Sequence, residues 1–531
     1  MDGKNLLAGI LAVTASAWTS PAQAQEEKPN VLMILSHCLG FSDLGCYGGE
    51  IETPNLDQMA ADGIRLTNFH NQCSRTPSMV HLISGLDPHR FGAVEGRKKG
   101  YLKTIDKTKN EFAHHNLPAL FSQHGYNTLI SGHTYGWSPG LTGFKEPVGV
   151  LKDTMALEWK GGKPPEGRKP TKDDVVYKTE QSSLLLAEKI KEQKEPFFAM
   201  FLSRFSMYGL FAKEDDIASF HRRYQRPVST LAMERYQRLV KKGLVHADWP
   251  WVNPIGKEEE GVVGSKNARL FTDADLVKDP DWKVPYGSAG VREPRDFAEL
   301  MAVYAAQTRV LDRSVGHLLK TLEDKGIRRN TIVIFAVLQG ADAHSGSKGV
   351  TWAKLNAVPF QGRRRTTYSG GVTTPTILSW PAKTTPEAKG SINRTVSSHG
   401  DWMPTLLQAA KIPYAAKDAE GRSVPGPDGR SLLPAFRGEH VPTTLSNPLF
   451  LEILSRKAVI TDDWKWIKSE RGAGKLYNLK TDRLETRDVA ADNPDVAAKM
   501  HAAFNAWGDE VGAHADLYSN DKNKEKLKRY R

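Results

Sequence analysis

The residues able to do chemistry in this chain sit where its apolar runs end. His37 and Cys38 follow the run Asn30 to Ser36, and a nitrogen beside a sulfur suits zinc or copper better than calcium. Neighbours at a strand end point apart, however, so the plainer expectation is a strand-end histidine next to a small buried cysteine. Ser74 and Ser78 would be hydroxyl nucleophiles only with a base aimed at them; otherwise they cap a turn. Arg75 and Arg364 carry guanidinium forks, which donate paired hydrogen bonds to an oxyanion without a metal, and His133 is a third donor for such a site. Tyr135, Tyr208, His133 and His37 could instead serve as nucleophile and acid for ester hydrolysis. Gln339 alone makes no metal site, Leu338 beside it can only pack, and Asp342 and His344 lie in a Gly-rich loop where a carboxylate is expected to serve a turn.

The elements that must hold these residues alternate. Asn30 to Ser36 reads as a fully buried parallel strand, with its loop where open α/β sheets place their chemistry. Thr53-Pro54-Asn55 opens an amphipathic helix, and Ile64 to Phe69 reads as a strand. A helix over Pro118 to His124, a strand over Asn127 to Ser131, a helix over Glu180 to Glu192 and a strand over Pro196 to Ser203 follow. The apolar periodicity of Phe297 to Lys325 predicts a long helix, ahead of a buried strand at Thr331 to Ala336. The expected fold is therefore α/β, a mixed and mostly parallel sheet flanked by helices on both faces. A smaller C-terminal α+β subdomain is expected from the alternation of Val459, Trp464, Trp466, Leu476 and Tyr477 and a helix over Ala497 to Trp507. Residues 159–174 read as a surface loop, and the charged stretch Lys213 to Arg295 as an insertion that is either functional or mobile.

Asp43-Leu44-Gly45-Cys46-Tyr47-Gly48, Thr53-Pro54-Asn55-Leu56-Asp57, the Pro77-Ser78 and Gly85 frame, Gly370-Gly371, and His399 to Leu406 together resemble the sulfatase family of arylsulfatase type, within the alkaline-phosphatase-like superfamily. The resemblance runs over nearly all of the chain after residue 24, and it implies a hydrolase fold. In that family the frame reads C-x-P-S-R, and its Cys becomes the formylglycine that attacks the sulfate ester. Pro77 and Ser78 put Arg75 in the nucleophile's place and Met79 in that of the Arg. Cys73 is out of frame and lacks the Pro and Arg that the maturation enzyme reads, so no formylglycine is expected there. The family's calcium positions fall on His37, Cys38, Leu338 and Gln339, and its remaining catalytic positions on His133, Tyr135, Tyr208 and Arg364, with Ser369 replacing a Glu. Every one of these has changed while the frame around it stands. Neither calcium nor formylglycine is expected as a cofactor.

Composition bounds the partners. At 39% hydrophobic and 9% aromatic residues the chain can bury a large core, which excludes disorder. Residues 1–24 read as a secretory signal peptide and not as a membrane span, so a secreted or periplasmic protein is expected. The division expected is 25–440 for the main domain, 441–520 for the subdomain and 521–531 for a basic tail. Three cysteines permit at most one bridge. A net charge of +12 favours acidic partners such as sulfated polysaccharide or oligosaccharide. No nucleic-acid module is present. The expected function is that of a non-catalytic pseudo-sulfatase that binds sulfated glycan at Arg75, His133 and Arg364. The alternatives are a sulfuric or phosphoric ester hydrolase with a rebuilt site and a scaffold partner of an active sulfatase.

Overall fold

Val31, Met33 and Leu35 enter one hydrophobic core and Leu32 and Ile34 another, and all five are buried. A strand covered on both faces reads as a continuous apolar run for this reason. The structure, a computed structural model, describes residues 27–94, 116–134, 143–151, 157–203, 210–255, 270–278, 296–342, 350–414, 416–417, 423–469 and 472–513. The expected signal segment 1–24 and basic tail 521–531 lie outside them.

The strands of the main sheet are β1 (Asn30–Ser36), β2 (Ile64–Leu66), β3 (Asn127–His133), β4 (Glu146–Leu151), β5 (Phe197–Leu202), β6 (Thr331–Val337), β7 (Thr376–Ser379) and β8 (Ile392–Asn393). They lie in the order β8-β2-β7-β6-β1-β5-β3-β4. The run β6-β1-β5-β3-β4 is parallel throughout, whereas β7 is antiparallel to both β6 and β2. The mixed, mostly parallel sheet expected from the alternation is thus present. Helices α1 (Pro54–Asp62), α4 (Lys178–Glu192), α5 (Val228–Lys241) and α6 (Phe297–Asp324) cover one face, and α2 (Arg75–Ser84), α3 (Leu117–Gln123) and α7 (Trp402–Ala409) the other.

The C-terminal part is an antiparallel sheet of β9 (Leu449–Ile453), β10 (Arg456–Ile460), β11 (Trp464–Lys468) and β12 (Lys475–Asn478), closed by α8 (Pro494–Val511). Val459, Trp466 and Leu476 meet α8, while Ala458, Ile467 and Tyr477 pack with Cys73, Val372 and Val396 of the main domain. The period of two in Trp464-Lys465-Trp466 puts Lys465 on the inward side with Ile467.

The strand expected over Ile64 to Phe69 is in fact broken. β2 ends at Leu66, and Phe69–His70 pairs separately with Ser397–Ser398. The buried guanidinium of Arg483 donates to the Thr67 carbonyl and to Asn68 Oδ1 at this break, while the Thr67 amide still donates to the Asn393 carbonyl.

The inserted stretch is not a loose appendage where it is described. α5 drives Arg235 into the core at 0% exposure. There it donates to Asp43 Oδ1 at 2.8 Å and to both oxygens of Glu50 at 2.7 and 2.8 Å. Asp43 in turn accepts from Tyr304 of α6 and from the Gly40 amide. Burial raises the Asp43 carboxyl to about 6 despite Arg235, whereas at Glu50 the paired guanidinium overcomes burial and brings it to about 2. This network lies directly under the loop after β1. Among the described residues no helix is long and apolar enough to cross a membrane.

Candidate functional site

Parallel pairing brings the ends of β1, β6, β5 and β3 to one edge of the sheet, where Ser36 lies beside Val337 and Leu35 beside Leu202. The residues singled out by spacing gather there. Cys38 takes a left-handed backbone (φ 63°), so its amide donates to the Gln339 carbonyl at 3.0 Å and its own carbonyl accepts from Tyr304. The Gln339 side chain, fully buried, then spans two elements. Its amide nitrogen lies 2.8 Å from Cys38 Sγ, and its oxygen accepts the Arg75 amide at 3.0 Å.

The second of these bonds satisfies an orphan donor at the start of α2. Ser74 occupies the capping position but makes no side-chain cap, contrary to its expected role; Gln339 caps from across the fold. Ser78 ties the turn instead, donating to the Ser74 carbonyl and accepting from the Gln72 amide. Both hydroxyls are buried, and no base among the described residues is bonded to either.

Arg75 itself is only half-buried, at the first position of α2, and Met79 one turn on packs into the core. Leu338 packs there too. Asp342, expected as a turn residue, instead holds Arg364: Nη1 lies 2.8 Å from Oδ2, and the pair is nearly buried. A guanidinium at low exposure needs such a counter-charge, so Arg364 is not the unengaged fork that the sequence suggested. Arg363 also lies within electrostatic reach of Asp342, with Arg364 and Arg365 beside it. Arg75, Arg364 and Asp342 all act on Cys38.

His37 is buried beside Cys38. His133 ends β3, two strands from β1, and is half-buried. The register of β3 against β4 shifts between Ser131 and Gly132, and Gly132 has φ 89° with the Leu202 carbonyl where a Cβ would stand. That irregularity re-aims the strand end. His133 thus lies at the same edge of the sheet as the loop after β1. Tyr135, Tyr208 and His344 lie outside the described residues.

Burial, and then Asp342, push the Cys38 thiol far above the ordinary range, and burial does the same at Cys46. A thiol so held is protonated near neutral pH and is a poor nucleophile. All three cysteines are free and buried. A thiol-specific disulfide reagent is therefore expected to modify none of them in native buffer and all three after unfolding in denaturant; rapid native labelling of Cys38 would contradict this geometry. Among the described residues no group of three or more His, Cys, Asp or Glu is placed to hold a metal ion.

Sequence reasoning missed the groups that close this region from the C-terminal sheet. Ser369 donates to Glu485 Oε1 at 2.5 Å, and Lys465 reaches the same oxygen at 2.5 Å and the Ser369 hydroxyl at 3.1 Å. Lys465 and Glu485 are essentially inaccessible, a buried ion pair standing beside Ser369. The inward register of Lys465 between two tryptophans was the available signal.

Comparison with known proteins follows the same outline. The Sulfatase family model matches residues 29–412. An uncharacterized sulfatase of Schizosaccharomyces pombe is 26% identical, over 92% of this chain and 95% of its own. The arylsulfatase of Klebsiella aerogenes is 25% identical, over 78% and 92%. Among solved structures, a protein in complex with its substrate D-glucosamine-2-N,6-O-disulfate superimposes with a TM-score of 0.60 at 17% identity, covering 93% of this chain and all of that one.

Proposed function

The chain belongs to the sulfatase family, and on that premise we propose that it is a member without sulfatase turnover, which binds sulfated saccharide at the sheet edge through guanidinium groups. The observation that carries this reading is the Gln339 amide, whose two ends are taken up by the Cys38 thiol and the Arg75 amide. Calcium wants about six to eight oxygen ligands. A protonated thiol, an amide already bonded at both ends, a packed leucine and one carboxylate paired with Arg364 do not fit that ion. The nucleophile's place holds Arg75, which cannot be oxidised to an aldehyde hydrate. Without the cation, clustered carboxylates would repel one another, and His, Cys, Leu and Gln in their place remove that cost.

What remains is basic. Arg363 and Arg364 both lie within electrostatic reach of Asp342, with Arg365 next in sequence, and Arg75 and Arg364 both act on Cys38. Guanidinium forks recognise sulfate oxygens without a metal. The sulfated glucosamine bound by the structural relative supports sulfated saccharide as the ligand class, and the signal-like composition of residues 1–24 supports an exported chain. In assays with p-nitrophenyl sulfate and p-nitrophenyl phosphate, with and without added calcium, no turnover above the buffer rate is expected. Saturable turnover of either ester would replace this reading with that of a hydrolase with a rebuilt site.

A further inference from the structure

Near the other end of α2 a cavity of about 240 Å³ opens between the main domain and the C-terminal sheet. Its charged groups are already engaged, Arg430 through the Pro442 and Val396 carbonyls and the Thr443 hydroxyl. Asp87 faces His89 at 2.7 Å, Arg90 sits between Asp428 and Glu510, and Asp401 accepts the Ser398 and Arg430 amides. A charged ligand would have to displace one of these ion-pair or hydrogen-bond partners, so the ligand that fits is neutral.

Two features make the lining more than a gap in packing. His81 is only 5% exposed and lines the cavity; its Nδ1 lies 2.9 Å from the Gln72 amide nitrogen, and no described hydrogen bond reaches its Nε2. Burial lowers this imidazole to about 4, so near neutral pH it is uncharged. With Nδ1 accepting from Gln72, the proton is on Nε2, which gives the cavity lining a neutral N–H. Across the cavity Phe450 and Trp507 are stacked at 5.1 Å and 12°, and the exposed Asn447 stands at the rim.

An aromatic wall, a neutral buried N–H and an amide at the mouth are complementary to a ring with an apolar C–H face and hydroxyls on its edge. The volume is below the roughly 300–1,000 Å³ of sites for drug-sized ligands, which limits the occupant to one ring. We propose that this cavity binds a single neutral pyranose unit, from a free sugar or from an unsulfated residue of a longer chain. The site is separate from the sheet edge, and neither reading depends on the other.

The test is titration of the full chain, followed by tryptophan fluorescence and calorimetry. The probes are methyl β-glucopyranoside and methyl β-galactopyranoside as free rings, cellobiose and lactose as chain ends, and choline and glucosamine-6-sulfate as charged controls. Saturable binding of a neutral sugar is expected, with Kd on the order of 1–10 mM. It should weaken at least about tenfold in Asn447→Trp, an exposed change that fills the mouth, and in Trp507→Leu, and stay unchanged in Arg75→Ala. A response to the disaccharides alone assigns the site to a chain end, and a response to the methyl glycosides to a free ring; both support the proposal. Three outcomes would overturn it: no saturable response to any neutral sugar from protein that keeps its unfolding transition, undiminished binding in Asn447→Trp, or preference for either charged control in Arg75→Ala, where the sheet-edge site is disabled.

Discussion

Arg235→Ala is expected to lower the unfolding free energy by about 3–5 kcal/mol, the cost of leaving buried charge without its partner. The side chain has no exposure and faces Asp43 and Glu50 together, and Arg238 reaches Glu50 only from the half-exposed side. Removing Arg235 strands Asp43 at a site where burial already raises its carboxyl. The consequence should extend past stability, because Asp43 also receives the Gly40 amide and the Tyr304 hydroxyl, which in turn supports the Cys38 carbonyl. The measurement is the urea midpoint and slope of the variant against the parent. Arg235→Lys, which keeps the charge but not the fork, should fall between them. A loss below about 1 kcal/mol, the worth of an exposed ion pair, would mean that the network does not hold α5 to the loop after β1.

The second large effect concerns the joint between the main domain and the C-terminal sheet. His89 lies 2.7 Å from Asp87 and 3.0 Å from Glu452 of β9, and all three are buried. Burial alone would lower the imidazolium, but Asp87 and Glu452 outweigh it and hold His89 at about 9. A group whose folded pKa is raised adds stability that is fully present below its unfolded value and lost as pH rises through the folded one. With an unfolded value of about 6.5, the contribution is about 3 kcal/mol at acid to neutral pH and fades between about pH 6.5 and 9. The denaturant midpoint of the parent should therefore fall across that window, and that of His89→Gln should start lower and stay flatter. A parent midpoint that is constant from pH 6 to 10 would refute a charged His89 at this joint.

Much of the frame was legible because burial on both faces leaves continuous apolar runs. β1 has the bounds read from Asn30 to Ser36, and α6 and β6 each fall within a residue of theirs. The sheet-edge residues were legible as positions for the same reason: once the strands are located, the residues after them must share an edge. What they bond to was not. Gln339 reaching Arg75, Asp342 reaching Arg364, and Lys465 reaching Ser369 are side-chain choices made after folding, between segments that no local period connects. The break after Leu66 was hidden likewise, since its side-chain partner there, Arg483, comes from the far C-terminal part. α5 was passed over because its stretch is charged, yet an arginine is itself among its inward residues, with Val228, Leu231, Ala232 and Leu239.

The sheet-edge account is tested most directly by calorimetric titration of the full chain with a sulfated oligosaccharide, in chelator and again in excess calcium. It predicts the same affinity in both conditions, falling steeply as salt is raised, and weakened at least about tenfold in Arg75→Ala while the unfolding transition is unchanged. Binding that appears only with calcium, or that is indifferent to Arg75, would contradict it.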